Sequence, residues 1–348
     1  MTSRQPASRQ VAAGGRPRLA RAFGNRAFVI LVTVATVIAV AAVTAGVVRT
    51  VVPSLGAGAR SPVRAGGPVV IKLPDRPLSY LGAYAKGVPG SYTPIETFAK
   101  TTGVQPNIAL YYSGWREPFK MAFAEQVVRH HAVPLIQIDP GKTHLTEIAK
   151  GGYDNYLTAY ANAVARFGRD TGHGVIIGFA HEPNGPWYPW GNGHVSPALW
   201  VRAWRHVVDL FRHNGADDVT WLWTINVIDT RHGIAAPDPW WPGSKYVTWV
   251  GIDGYYYKST WSFAPLFGPA IRAVRKLTFD PILISETGAS NAAGKAAKIT
   301  DLFAGVRAYD LLGLVWFDVN RVRDWQIERG ASAAAFLAGA SSFGRLAP

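Results

Sequence analysis

Cysteine is absent from the 348 residues of this chain. That absence removes a disulfide framework, a thiolate zinc site and a cysteine nucleophile together, and it leaves the redox compartment open. Charge is also scarce: 17% of residues are Asp, Glu, Lys or Arg, against 48% hydrophobic and 12% aromatic. Disordered chains show the opposite balance, and the length suits one large domain or two ordinary ones. Residues 1–64 lack Asp, Glu and Lys altogether but hold nine Arg. Taking those nine from the 36 basic residues leaves 27 against 22 acidic ones, so the formal charge of +14 falls to +5 over the rest. The basic character belongs to a tail, and no nucleic-acid partner is expected.

Charge is missing again from Ala27 to Val48, an apolar run of 22 residues. As a helix it would extend about 33 Å, enough to cross a bilayer core. The apolar core of a signal peptide is only about 7–15 residues long, so the run is expected to be an uncleaved transmembrane anchor touching the lipid bilayer. Cleavage near Ala57-Gly58-Ala59 would instead give a secreted protein. Six Arg precede the run and three follow it, which puts residues 1–26 in the cytoplasm and the folded part outside. Residues 49–76, with Pro53, Pro62, Pro68 and Pro74, have the composition of a linker.

Beyond the linker, short apolar runs alternate with amphipathic stretches. Strands are expected at Tyr80–Tyr84, Asn107–Tyr112, Val133–Ile138, Val175–Ala180, Val219–Thr224, Val247–Ile252, Pro281–Ser285 and Gly313–Phe317. Most are continuously apolar, as parallel strands buried on both faces are. Thr93-Pro94-Ile95-Glu96 reads as a capping box, and Ser196-Pro197 opens another helix. Helices are also expected over 117–131, 152–168, 264–277 and 292–309. Such strand–helix units predict an α/β fold, a (β/α)8 TIM barrel over 77–340. An open doubly wound sheet would want a glycine-rich phosphate loop after its first strand, and Leu81-Gly82-Ala83-Tyr84-Ala85-Lys86 is not one.

Active sites of such barrels lie at the C-terminal strand ends. The fourth strand runs into His181-Glu182-Pro183-Asn184-Gly185-Pro186-Trp187-Tyr188-Pro189-Trp190, and the seventh into Ser285-Glu286-Thr287-Gly288. Two carboxylates about 5–5.5 Å apart across a cleft are what a retaining glycosidase needs, one to attack and one to hold a proton. Tryptophans and tyrosines near the same strand ends could stack on sugar rings.

These segments resemble glycoside hydrolase family twenty-six, the endo-β-mannanase family. His181-Glu182-x-Asn184-Gly185-x-Trp187-Tyr188-Pro189-Trp190 is similar to its acid/base motif, Ser285-Glu286-Thr287-Gly288 to its nucleophile motif, and Gly251-Ile252-Asp253-Gly254-Tyr255 to its sixth-strand motif. The resemblance implies Glu182 as general acid/base and Glu286 as nucleophile. It also implies that His181 contacts the sugar in the reacting subsite, Trp187 borders it, Tyr255 hydrogen-bonds the nucleophile and Trp316 stacks beneath the sugar. Pro183 stands where the family usually has Met and removes a backbone donor.

The function that follows is a retaining endo-glycosidase acting as a monomer on a β-linked polysaccharide, β-1,4-mannan first, with no metal or cofactor. Alternatives are a β-glucan or xylan hydrolase, a transglycosylase processing surface exopolysaccharide, and a non-catalytic polysaccharide-binding protein on the same fold. Other features have plainer readings. Gly185 stands where a zinc motif beginning at His181 needs its second His. His130-His131 reads as helix surface, Trp200 and Trp204 as helix packing, and Trp221 with Trp223 as barrel filling. Asp139, Asp318 and Asn320 could cap turns or line the site.

Overall fold

The computed structural model describes residues 71–321 and 323–343. The expected basic tail, the apolar run 27–48 and the linker up to residue 70 lie outside them. Among the described residues no helix is long and apolar enough to cross a membrane.

Eight parallel strands close into a barrel in chain order: β1 (Tyr80–Pro89), β2 (Ile108–Gly114), β3 (Val133–Asp139), β4 (Val175–Phe179), β5 (Val219–Asn226), β6 (Trp249–Tyr256), β7 (Ile282–Ala289) and β8 (Gly313–Asp318). Around them lie α1 (Thr93–Thr102), α2 (Met121–Arg129), α3 (Leu145–Ala149), α4 (Asp154–Thr171), α5 (Pro197–His213), α6 (Phe263–Arg275), α7 (Lys295–Ala308) and α8 (Ala331–Ala340). All eight expected strands form, because each apolar run is buried on both faces. The fifth unit has no α-helix. Two one-turn 3-10 helices, Thr230–His232 and Asp238–Trp240, take its place, and Trp241 packs edge-on against Trp223 at 4.9 Å.

Helix caps follow the sequence in part. Ser196 Oγ accepts from the Leu199 amide at the start of α5, as expected. The capping box does not form: Tyr92 is the N-cap of α1, and Glu96 reaches His130 at 3.5 Å instead of turning back. His130 itself stacks on Tyr92 at 4.1 Å.

Strand alternation sorts the apolar side chains into two cores. Ile108, Leu110, Leu135, Ile176, Leu222, Trp249, Leu283 and Val315 fill the barrel. Their neighbours in sequence face the helices. Trp221 and Trp223 therefore do not fill the barrel; Trp221 meets Trp204 and Phe211 of α5. Trp200 and Trp204 stack at 5.3 Å on α5, as their spacing predicts.

The end of the expected linker is not loose. Residues 71–76 cross the N-terminal end of the barrel. There the Ile71 amide donates to Asp218 Oδ1 beside the start of β5, Tyr80 Oη donates to the Pro74 carbonyl at 2.7 Å, and Leu73 packs on the inner core.

Candidate active site

At the C-terminal mouth, strand alternation and one irregularity bring the polar residues together. β4 stops at Phe179 because Ala180 (φ 47°) and Glu182 (φ 52°) adopt the left-handed region, which costs a non-glycine residue roughly 1–2 kcal/mol. The surroundings hold this turn firmly. Trp200 Nε1 donates to the Ala180 carbonyl at 3.1 Å, Trp190 Nε1 donates to the His181 carbonyl at 2.8 Å, and the Glu182 amide donates to the Thr224 carbonyl at 2.9 Å. Gly185 is needed for space, because a Cβ there would enter the Trp187 ring.

Glu182 emerges from this turn only 6% exposed. Its Oε2 accepts from Trp187 Nε1 at 2.7 Å and its Oε1 from Asn226 Nδ2 at 2.5 Å. Asn184 is fully buried and holds the next strand: its Nδ2 donates to the Asn226 carbonyl at 2.9 Å, and its Oδ1 accepts from the Asn226 amide at 2.9 Å.

Glu286 arrives from β7. That strand gains one residue on both neighbours between Leu283 and Thr287, a β-bulge that reverses which side chains face inward. Ser285 Oγ donates to Asp253 Oδ1 at 2.6 Å inside the barrel, and Glu286 also projects into the mouth. Tyr112 from β2 donates to its Oε2 and Tyr255 from β6 to its Oε1. Gly251 leaves room for this arrangement, since a Cβ would collide with Ser285 and Thr224.

The electrostatics show that the carboxyl groups converge. Burial, then the Glu182 charge, push Glu286 up to about 7, while the Tyr112 and Tyr255 hydroxyls and His181 pull it down. Burial, then the charges of Glu286 and Glu182, drive Asp253 well above the usual carboxylate range. Like charges this close do not all ionise, so Glu286 and Asp253 keep their protons to higher pH than free carboxyls do.

His181 is 3% exposed, with both ring nitrogens occupied by protein. Nδ1 lies 3.0 Å from Asp139 Oδ1, an ion-pair distance though off the line of a good hydrogen bond. Nε2 lies 3.0 Å from Tyr188 Oη. Burial pulls the imidazole toward neutrality, but Asp139, with Glu182 and Glu286, outweighs it and raises the pKa to about 9.

Glu182, Glu286, His181, Trp187 and Tyr255 are therefore brought together as the sequence suggests. Trp316 is not. It is fully buried on the outer side of β8, edge-on to Phe336 of α8, and it donates Nε1–H to the Trp325 carbonyl. Phe317, one residue on, faces inward and stacks on Tyr84 at 4.7 Å. Trp325 covers Tyr255 at 4.7 Å. Sequence reasoning did not pick out Tyr112, Asn226 or Asp253 as site residues, and it left Asp139 open. All four occupy the mouth end of their strands. Asp318 caps a turn, accepting from the Ile327 amide at 2.7 Å.

Paired glutamates at the ends of β4 and β7, walled by aromatic rings at the mouth of a closed parallel barrel, define the class: a carboxylate-bearing (β/α)8 barrel. Residues 129–324 match glycosyl hydrolase family 26, and the chain belongs to that family. It is 29% identical over 271 residues to a protein named Endoglucanase H from Acetivibrio thermocellus, across 73% of this chain and 29% of that protein. The chain thus spans less than a third of that relative's length. Its fold is similar to a family 26 β-mannanase from Bacteroides ovatus (TM-score 0.57, 16% identity, 77% of this chain and 90% of the other). It is also similar to a modular endo-β-1,4-mannanase from Cellulomonas fimi (TM-score 0.59, 15% identity, 77% and 71%).

Proposed function

We propose that this chain is a retaining endo-glycosidase that cleaves a β-linked polysaccharide. The observation that carries the reading is the convergence of Glu182 and Glu286 on one aromatic-walled mouth, close enough for the charge of one to raise the pKa of the other. Glu286 Oε attacks the anomeric carbon while Glu182 gives its proton to the departing glycosidic oxygen. Water then loses a proton to Glu182, attacks the same carbon and releases Glu286, so two inversions retain the configuration. The tyrosines on Glu286 fix its orientation and favour its ionised form. Trp187 and Asn226 hold Glu182 against the scissile oxygen.

β-1,4-Mannan is the first candidate substrate, by the resemblance of the motifs and the likeness of fold to mannanases. A second reading, mixed-linkage β-glucan, is favoured by the 29% identity to a protein named as an endoglucanase. New reducing ends from soluble β-mannan, β-glucan and β-1,3-xylan decide among them, and NMR of the first-formed anomer tests retention. No cleavage of any of the three would sink the reading and favour a binding protein.

The uncharged run 27–48 supports a single-pass anchor with the barrel outside the cell. Protease added to intact cells should degrade the barrel and spare an N-terminal stub; a barrel protected until lysis would overturn this.

A further inference from the structure

We propose that the hydroxyl of Tyr188, and not the imidazole of His181, is the group that hydrogen-bonds the sugar in the reacting subsite, and that the Asp139–His181 pair makes that hydroxyl a donor. The proposal rests on the glycosidase reading above and specifies its polar recognition.

His181 has nothing left to offer a ligand. Its side chain is buried, with Nδ1 at Asp139 and Nε2 at Tyr188. Tyr188 is only half-buried; its hydroxyl lies 3.0 Å from His181, the chain neighbour of Glu182, and its ring lies 6.4 Å from Trp187, the indole that donates to Glu182. Its ring cannot swing away. It lies flat on Trp190, 4.4 Å between centroids and 7° between planes, and Trp190 is pinned by its bond to the His181 carbonyl.

A phenol has one proton and two lone pairs. An imidazolium donates Nε2–H to Tyr188 Oη, which leaves the phenolic proton free to point at a sugar oxygen. A neutral imidazole with a bare Nε2 would take that proton instead, and Tyr188 would offer the sugar only lone pairs. The charge on His181 therefore decides whether the subsite presents a donor or an acceptor.

Several groups face the imidazole from the packed elements: Asp139 from β3, the Tyr112 ring from β2 at 5.6 Å, Glu286 from β7, Glu182 beside it in the chain, and Tyr188 and Trp190 from the following loop. Three of them are carboxylates and none is a cation, so the surroundings favour the imidazolium. The pKa of about 9 agrees.

Two measurements on the full-length chain test this. In the first, NMR of histidine-15N-labelled protein, with the His181 signals assigned by their loss in His181→Gln, should find both ring nitrogens protonated at pH 7. In Asp139→Asn they should shift to a neutral ring. A neutral ring in the wild type would overturn the proposal whatever the protein cleaves.

The second measurement is kinetic, on the soluble glycan that the wild type cleaves. Tyr188→Phe should lower kcat/KM about tenfold, mostly through KM, the scale of one lost hydrogen bond. Asp139→Asn should lose a similar factor at neutral pH. The double variant should fall no more than about twofold below Tyr188→Phe, because both changes remove the same donor. Multiplying losses, or an unchanged KM in Tyr188→Phe, would overturn it. A wild type that cleaves no glycan would instead sink the glycosidase reading, and the imidazole spectrum alone would then decide the Asp139–His181–Tyr188 arrangement.

Discussion

Ser285 and Glu286 are consecutive residues of one strand, yet both side chains point into the barrel. Ser285 Oγ donates to Asp253, and Glu286 accepts from Tyr112 and Tyr255. A regular strand would send one of them outward. The bulge between Leu283 and Thr287 allows both, and it stacks the candidate nucleophile directly above a polar layer instead of a leucine.

Removing either carboxylate should separate their roles. Glu286→Ala should lose several orders of magnitude in kcat, and azide should restore turnover as a glycosyl azide of inverted configuration. Glu182→Ala should still form the glycosyl-enzyme from substrates with activated aryl leaving groups and then stall. Azide should rescue that variant with retained configuration. The opposite stereochemistry in the two rescues would exchange the roles.

The acid limb of kcat/KM should fall near pH 7, where Glu286 titrates. Three variants should move it in known directions. Glu182→Gln removes a like charge that raises this pKa, so the limb should move to lower pH, but only in part, because burial is the larger cause. The reporter is an activated aryl glycoside, which does not need the acid. Tyr255→Phe and Tyr112→Phe each remove a hydroxyl that lowers the pKa, so the limb should move to higher pH. A limb unmoved in all three variants would mean that another group sets it.

Stability should fall with rising pH across the range of the site. Glu286 rises from 4.5 to about 7 in the fold, and His181 rises from 6.5 to about 9. In both windows the folded chain binds more protons than the unfolded one, so each rise in pH disfavours the fold. The contribution of His181 is fully present below pH 6.5 and lost as pH climbs through about 9. Thermal unfolding from pH 5 to 9 should show Tm declining. Glu286→Gln should flatten the lower part of the decline and Asp139→Asn the upper part.

Trp316→Phe should affect the fold and not the substrate. The indole N–H leaves the Trp325 carbonyl without its partner, which costs about 1–3 kcal/mol for a buried acceptor. Tm should drop while KM stays within about twofold. A large rise in KM with Tm unchanged would return Trp316 to the sugar.

The barrel was legible because its strands are apolar on both faces, a pattern that survives without knowledge of any partner strand. The placement of Glu182, Glu286 and Tyr255 at the barrel mouth is legible because they sit in motifs where apolar runs end. Trp316 was misplaced for a local reason: inward and outward residues alternate, and Val315 and Phe317 hold the inward positions of β8. Tyr112 and Asn226 carried a fainter signal, each at the last inward positions of an otherwise apolar strand. Their partners lie 174 and 44 residues away, and only closure of the barrel makes those pairings visible. Residues 71–76 read as linker because they continue a proline- and glycine-containing stretch with little periodicity. What orders them is a carboxylate and an exposed barrel end that belong to other parts of the chain.

The strap formed by residues 71–76 also gives the barrel a polarity that matters for handling it. Ile71 lies at the end opposite the glutamates. A bead, a fused domain or a surface joined on that side would hold the barrel like a cup by its foot. The rim would stay clear, and a polymer far longer than the barrel could be drawn across it without meeting the support.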